Sequence, residues 1–394
     1  MKIGIITYWD SPNNYGQVLQ GFATEYLLRK LGNTPFIIRF GREDNLCTNI
    51  DPWRKKIMRV LKGERTILQI IKRRLAQKQE DVNRGFDDFR NQYMSYTSDY
   101  YPNFESLKKK CPEADCFVTG SDQVWASFGA MDTHRCFLLD FLPDWKPRFS
   151  LSSSFCRTSM IEEHKKLFKH CLSKYLAISV REVSGLKLCE SIGVKAEHII
   201  DPTLLLSKSE WQKALPFDNQ KNEGRRRVFF YVVTLDKTQP YLYKLMHQFE
   251  ERGYEVIYCH SYNFLDGKRN CDPTILEWLS YINTSDLIVT NSFHGFAFSV
   301  NFNTPFIALS KSKKIDINGQ DSRMYSVLSG MGLENRLMAV SDVNYILDHA
   351  FEEIDWQKAN NYFEKQREKA TVYLDDVLNL AYQMISKHAK MEIN

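Results

Sequence analysis

The sequence predicts an α/β protein made of two Rossmann-like domains that face each other across a cleft, followed by a C-terminal helical segment. Three observations carry that expectation. Short apolar runs alternate with helix-period patterns along most of the 394 residues, as in a doubly wound, mostly parallel sheet. The alternation pauses at a polar, charged stretch from Pro216 to Arg227 and restarts at Val228. The final stretch, from Trp356 to Lys390, keeps helical spacing throughout.

The elements follow in order. Lys2–Tyr8 is an apolar run too short for a secretory leader, and Asp10-Ser-Pro-Asn-Asn14 follows at once, so it reads as a first buried strand. Gln17–Leu31 has helical periodicity, and Pro35–Arg39 reads as the next strand. Phe86–Tyr93 is helical, and Asp115–Thr119 and Phe149–Phe155 are strand-like. Helix Glu162–Cys171, strand Leu176–Val180, helix Val183–Ile192 and the short strand His198–Ile200 complete the first half. The second half reads as strand Val228–Thr234, helix Tyr241–Arg252, strand Glu255–Cys259 and helix Thr274–Asn283. Strand Leu287–Thr290, helix Phe296–Asn301 and strand Pro305–Leu309 follow. The expected domains are therefore 1–215 with a basic insertion at 52–80, a linker at 216–227, 228–340, and a helical segment at 341–394. Two such halves and a last helical segment make a GT-B-like architecture.

Composition sets the bounds. The chain is long for one core and comfortable for two domains. An apolar share of 43% and a charged share of 26% are those of a soluble globular protein. No window approaches the roughly 18 to 20 apolar residues that span a bilayer. The expected location is the cytoplasm. The nine cysteines show no CxxC and no Cys/His ligand spacing, so they read as reduced thiols and no metal site is expected. Net charge is +5, but Arg54 to Lys78 holds ten Lys or Arg and a single acid, Glu64. Its apolar residues recur at helical spacing. The segment is either a solvated helical excursion or a peripheral contact with the anionic inner face of a membrane. No nucleic-acid motif accompanies the charge, so nucleic acid is not an expected partner. The sequence does not fix an oligomeric state.

Chemistry-bearing residues fall just after strands, where ligands of open α/β sheets bind. No P-loop and no GxGxxG is present. The first such turn is Asn13-Asn14-Tyr15-Gly16-Gln17, whose side chains suit sugar hydroxyls or, more plainly, helix capping. The next is Gly120-Ser121-Asp122-Gln123-Val-Trp125. There Asp122 can accept a proton from a hydroxyl and Trp125 offers a flat face; a structural cap is the alternative. Arg181 follows strand Leu176–Val180 and suits a carboxylate or phosphate; an ion pair with Glu182 or across the domains is the alternative. Asp201-Pro-Thr203 reads as a structural turn. The most informative stretch is Thr290-Asn-Ser292-Phe293-His294-Gly295. It places a histidine, able to move protons near neutral pH, at a strand-to-helix junction where backbone N–H groups favour anions. His260, ending strand Glu255–Cys259, is a second histidine of the cleft.

In order along the chain, Tyr15-Gly-x-x-Leu-Gln20, Gly120-Ser-Asp-Gln-Val-Trp125, Ser179-Val-Arg-Glu182, Asp201-Pro-Thr-Leu-Leu205 and Thr290-Asn-Ser-Phe-His-Gly295 resemble the polysaccharide pyruvyl transferase family. Arg323 and Arg336 resemble its late arginines. The resemblance implies transfer of the enolpyruvyl unit of phosphoenolpyruvate, a co-substrate rather than a cofactor, to a sugar of a cell-surface polysaccharide or its lipid-linked precursor. It implies His294 and Asp122 as catalytic residues. Arg181, Ser292, Phe293, Gly295 and Arg323 would hold the donor. Asn14, Tyr15, Gly16, Gln17, Ser121, Gln123 and Trp125 would hold the acceptor. Ser292 stands where the family often carries arginine; either another Arg or Lys, such as Arg323, substitutes for it or the donor differs. The alternatives are a GT-B-type glycosyltransferase using a nucleotide sugar and a non-catalytic sugar-binding homologue.

Overall fold

The structure is a computed structural model that describes residues 1–41, 84–126, 131–220, 224–233, 239–261, 271–310, 314–317 and 321–393. The basic segment Arg54–Lys78 lies outside the described residues.

The first half runs β1 (Lys2–Ile6), α1 (Tyr15–Lys30), β2 (Thr34–Phe40), α2 (Phe86–Tyr93), β3 (Tyr96–Tyr101), α3 (Phe104–Lys109), β4 (Cys116–Thr119), α4 (Met131–Phe137) and β5 (Arg148–Ser150). It continues with α5 (Glu162–Leu172), β6 (Ser179–Val180), α6 (Val183–Ser191), β7 (Glu197–His198), α7 (Pro202–Leu205) and α8 (Lys208–Ala214). Five parallel strands form a sheet in the order β3-β2-β1-β4-β5. Bridges from Phe149 to Ala177 and from Ser153 to Val180 carry it on toward the β6–β7 pair. The second half holds β8 (Arg227–Val232), α9 (Gln239–Glu251), β9 (Glu255–His260), α10 (Ile275–Thr284), β10 (Leu287–Thr290) and α11 (Phe293–Asn301). Then come β11 (Phe306–Leu309), α12 (Ser322–Met331), β12 (Leu337–Met338), α13 (Val343–His349) and α14 (Trp356–Ile393). Its parallel sheet has the order β12-β11-β10-β8-β9.

Both sheets reverse their strand order once, between β1 and β4 and between β8 and β10. The carboxyl ends of strands flanking such a reversal open a crevice for ligands. Each sheet is near-continuously apolar in its central strands, because helices cover both faces. One apolar core does not stop at the domain boundary. It joins Ile3, Ile5 and Tyr15 of the first half to Tyr231, Trp278 and Phe298 of the second. Tyr15 stacks on Trp278 with centroids 5.1 Å apart, and its hydroxyl donates to the Pro273 carbonyl at 2.6 Å. The buried Arg84 guanidinium donates to the carbonyls of His260 (3.0 Å) and Ser261 (3.4 Å) and pairs with Asp272. α14 returns to the first half, where the Tyr373 hydroxyl donates to Ser150 O at 2.7 Å and Lys369 Nζ to His198 O at 2.9 Å.

Among the elements that differ from the expected ones, three are instructive. Strand Phe149–Phe155 stops at Ser150, because Ser152 takes a positive φ of 55° and turns the chain, whose backbone then bonds through Ser153 N to Ser179 O and Ser154 N to Asp122 O. β3 lies in a segment, Tyr-Thr-Ser-Asp-Tyr-Tyr, with no apolar run; it is a half-exposed edge strand. α11 begins at Phe293, not Phe296, so His294 sits in the first turn of a helix rather than in the loop before it.

Candidate functional site

His294 is held by a tight junction. Ser292 caps α11, its hydroxyl accepting from Gly295 N at 3.4 Å. Thr290 Oγ1 donates to Tyr231 O at 2.6 Å and accepts from Ser292 N at 3.0 Å, which fixes the turn to the sheet. A side chain at Gly295 would run into Thr290 Oγ1 and come within 2.9 Å of the Tyr231 ring. On the facing domain, Gly16 opens α1, and a methyl group there would fall on the His294 imidazole. The two helix N-termini therefore meet with His294 between them, and glycine at 16 is required by that approach alone.

The His294 imidazole Nε2 lies 3.7 Å from Asp201 Oδ2. Asp201 is fully buried at the N-terminus of α7, and its Oδ1 accepts from the amide (3.0 Å) and hydroxyl (2.8 Å) of Thr203. Its Oδ2 accepts from Ser121 Oγ at 2.8 Å and Arg181 Nη1 at 2.9 Å. Burial opposes the Asp201 charge, yet His294 and Arg181 outweigh it and hold the carboxyl well below the usual range. Around the Arg181 guanidinium, Asp122 Oδ1 stands 4.0 Å from Nη2 and Glu182 Oε2 3.9 Å from Nε. Burial works against the Arg181 charge, but Asp201, Asp122 and Glu182 together hold it firmly protonated. Arg181 Nε and Nη2, Glu182 Oε2 and His294 Nε2 are buried without a hydrogen-bond partner. Orphaned donors and acceptors at one place are costly unless a bound group satisfies them. Asp122 itself takes a positive φ of 75°, and its Oδ2 accepts from Gln17 Nε2 at 3.4 Å.

The residues marked by sequence fall into two groups. Brought together are His294, Asp122, Arg181, Gly16, Gln17, Ser292, Gly295 and Phe293. The Phe293 ring lies under two guanidinium groups, Arg181 at 5.1 Å and Arg323 at 6.0 Å, so Arg323 at the start of α12 stands at the same mouth. Ser121 is also there, but its hydroxyl is spent on Asp201. Three other expectations, for Trp125, Tyr15 and Asn14, are corrected. Trp125 is buried, packed on Phe155 and Phe168, with its indole N–H donating to Phe137 O; it presents no open face to a sugar. Tyr15 is sealed in the interdomain core. Asn14 serves as the α1 N-cap, accepting from Gln17 N at 3.2 Å. Arg336 is buried against the carbonyls of His349, Ala350 and Glu352 and fastens the end of α13. Gln123 is half-buried beside the site, its carbonyl accepting from the Tyr8 hydroxyl at 3.2 Å. His260 is buried at the end of β9.

Two residues of the candidate site carried only a structural expectation from the sequence. Asp201 was read as a turn residue, although an acid directly after a strand in Asp-Pro-Thr is a cap with one oxygen to spare. Glu182 binds Ser154 Oγ at 3.0 Å and the amides of Phe155 and Cys156 at 2.8 and 3.1 Å, so it fixes the strand end beside Arg181. Its signal was the Ser152–Ser154 run, small polar groups placed where buried backbone needs partners. Among the described residues no group of three His, Cys, Asp or Glu is placed to hold a metal ion.

Arg181 is one cation among three carboxylates, so it organises acids rather than supplying net positive charge. Net positive character comes from Arg323 and from the amides opening α11. The arrangement can thus take an anion beside Phe293 and move protons through His294 and Asp122.

A family model described as polysaccharide pyruvyl transferase matches residues 14–312. No curated protein sequence matches the chain. Among solved structures, the S. aureus MnaA–UDP co-structure aligns with a TM-score of 0.55 at 9% identity, covering 96% of this chain and 97% of that one. A putative UDP-N-acetylglucosamine 2-epimerase from Listeria monocytogenes aligns with a TM-score of 0.51 at 9% identity, covering 93% of this chain and 90% of that one. These likenesses establish the two-domain GT-B-like fold and nothing of the chemistry. No described helix is long and apolar enough to cross a membrane.

Proposed function

Because the chain belongs to the polysaccharide pyruvyl transferase family, we propose that it moves the enolpyruvyl unit of phosphoenolpyruvate onto two hydroxyls of one sugar in a polysaccharide or its lipid-linked precursor. The observation that carries this reading is the placement of His294, paired with Asp201, opposite Asp122 at the facing strand reversals. The donor's phosphate and carboxylate sit beside Phe293 on Arg323 and the α11 amides; the acceptor approaches from the Asp122 and Gln17 side.

The chemistry asks for one proton donor and one acceptor. His294 gives a proton to C3 of the enol, and C2 becomes an oxocarbenium ion. The first sugar hydroxyl attacks C2, and its proton passes to Asp122. The C2–O bond to phosphate then breaks. The second hydroxyl closes the ketal and its proton returns to His294, while the proton on Asp122 leaves with phosphate. One donor, one diol, one ketal and one phosphate balance. Asp201 keeps the imidazole oriented, in the way a buried carboxylate orients any catalytic histidine.

The test is release of inorganic phosphate from phosphoenolpyruvate in the presence of sugar acceptors. Release that depends on acceptor is expected. His294→Ala should lower it by about 10²- to 10⁴-fold with the fold retained. Turnover of a UDP-sugar without phosphoenolpyruvate, or an unchanged rate in His294→Ala, overturns the reading.

A further inference from the structure

α7 is a single turn, Pro202–Leu205, and a helix that short leaves its last carbonyls without partners from within. Side chains from elsewhere supply them. Asn301, the last residue of α11, is buried, and its Nδ2 donates to Thr203 O at 2.9 Å and to Leu206 O at 2.8 Å. Trp211 Nε1 also donates to Thr203 O, at 3.1 Å. Arg367 of α14 donates from Nε to Leu204 O at 3.2 Å and from Nη2 to Asn301 Oδ1 at 3.1 Å. Both hydrogens of the Asn301 carboxamide are therefore committed to α7, and Arg367 keeps the group from flipping. Glu364, one turn earlier on α14, steadies the guanidinium through Nη1 at 2.7 Å.

These bonds would be capping alone but for what stands at the other end of both helices. The amide and hydroxyl of Thr203 hold Asp201 Oδ1, while its carbonyl is held by Asn301. His294 and Asn301 both belong to α11 and stand two turns apart, so they leave one face of it about 10 Å apart along the axis. That face lies on α7. His294 meets Asp201 at one end, and Asn301 meets Thr203 and Leu206 at the other. The path from His294 along α11 to Asn301, Thr203 and Asp201 closes on itself. Its links are helix or hydrogen bond except the last, the 3.7 Å between Nε2 and Oδ2. A hydrogen bond needs that gap shorter by less than about 1 Å. A slide of α11 along α7 by that amount makes or loses the pair, and the Asn301 clamp opposes it.

We propose that Asn301 and Arg367 are positioning residues for the acid–base pair: they set the register of α11 against α7 and so the reach of His294 to Asp201. This rests on the reading of His294 as the group that moves protons. The C-terminal helix thus serves the site through one arginine. Loss of that arginine loosens the pair, while Arg323 and Phe293 remain to hold the donor.

The experiment observes the imidazole directly. The intact protein, with no ligand added, carries 15N-labelled histidine, and the His294 ring nitrogens are assigned by NMR from His294→Gln. Asp201→Asn shows where the Nε2 signal goes when its carboxylate is lost. Arg367→Met keeps the stem and removes the donors; Asn301→Leu keeps the volume and removes the carboxamide. In both, the Nε2 signal is expected to move in the direction set by Asp201→Asn. Tyr373→Phe, which loosens α14 at Ser150, should lower Tm and leave the signal in place. In acceptor-dependent phosphate release, Arg367→Met should lower kcat about tenfold with KM for phosphoenolpyruvate within about twofold. Arg367 is half-buried, so its variant decides the matter should Asn301→Leu fail to fold. If the Nε2 signal of folded Arg367→Met matches the wild type or moves the other way, or if Tyr373→Phe moves it as far, the inference is overturned. Absence of acceptor-dependent release in the wild type overturns the pyruvyl-transfer reading and leaves the NMR result standing, so the two fail separately.

Discussion

At the scale of the residue, the site is governed by very short allowances. Gly16 has no alternative, because its Cβ would occupy the space of the His294 ring. Gly16→Ala should keep the fold, as read by circular dichroism, while lowering turnover at least roughly tenfold through displacement of the imidazole. Asp201 links activity to acid stability. Its folded value lies below the unfolded one, so its contribution is fully present above about pH 4 and lost as pH falls below it. His134 acts in the same direction over a different window. It stays neutral in the fold down to about 4, whereas the unfolded chain protonates near 6.5, so stability falls as pH drops through that interval. Denaturant melts from pH 7 to pH 2 should show both limbs. Asp201→Asn should remove the lower limb and, at pH 7, cost about 3 kcal/mol or more by leaving Arg181 without its buried partner.

At the scale of the element, junctions matter more than spans. α11 starts at Phe293 because Ser292 caps it, and that one-turn difference from the expected start moves His294 from a loop into a rigid helix. The signal was in the sequence, since Ser292 stands three residues before Gly295, but the apolar run from Phe296 outweighed it. The central strands were legible because parallel sheets covered on both faces need continuous apolar runs. β3 was not, because an edge strand with one open side can be written in Tyr, Thr, Ser and Asp. The strand end at Ser150 was not, because the turn at Ser152 redirects the backbone bonds to Ser179 and Asp122. Among site residues, strand-end position was enough to find His294, Asp122 and Arg181. It could not separate Trp125, which is core, from a binding face, since burial of a tryptophan depends on Phe155 and Phe168 arriving from elsewhere. Asp201 was missed for the converse reason: a cap looks complete until its second oxygen is seen on Arg181. α14 is a brace that buries Phe363, Leu374 and Val377 in the apolar core and adds polar ties to the first half. Tyr373→Phe removes one of the two donors to Ser150 O, Ser179 Oγ remaining at 2.9 Å, with an expected cost of about 1 kcal/mol read as a lower Tm.

At the scale of the whole molecule, the GT-B-like plan promises two bodies, while the packing makes them one. The core that joins Ile5 to Tyr231 and Trp278 runs across the boundary beside the buried polar site. Scanning calorimetry should therefore show a single unfolding transition whose van't Hoff and calorimetric enthalpies agree, and two resolved transitions would contradict it. The Tyr15 ring lies flat on Trp278, with an interplanar angle of 8°, and edge-on to Tyr231. Flat faces glide over one another at little cost but resist being pulled apart, because separation wets both. An opening of the cleft that keeps this stack slides α1 along the second domain, as an iris opens, whereas one that swings like a jaw wets both rings.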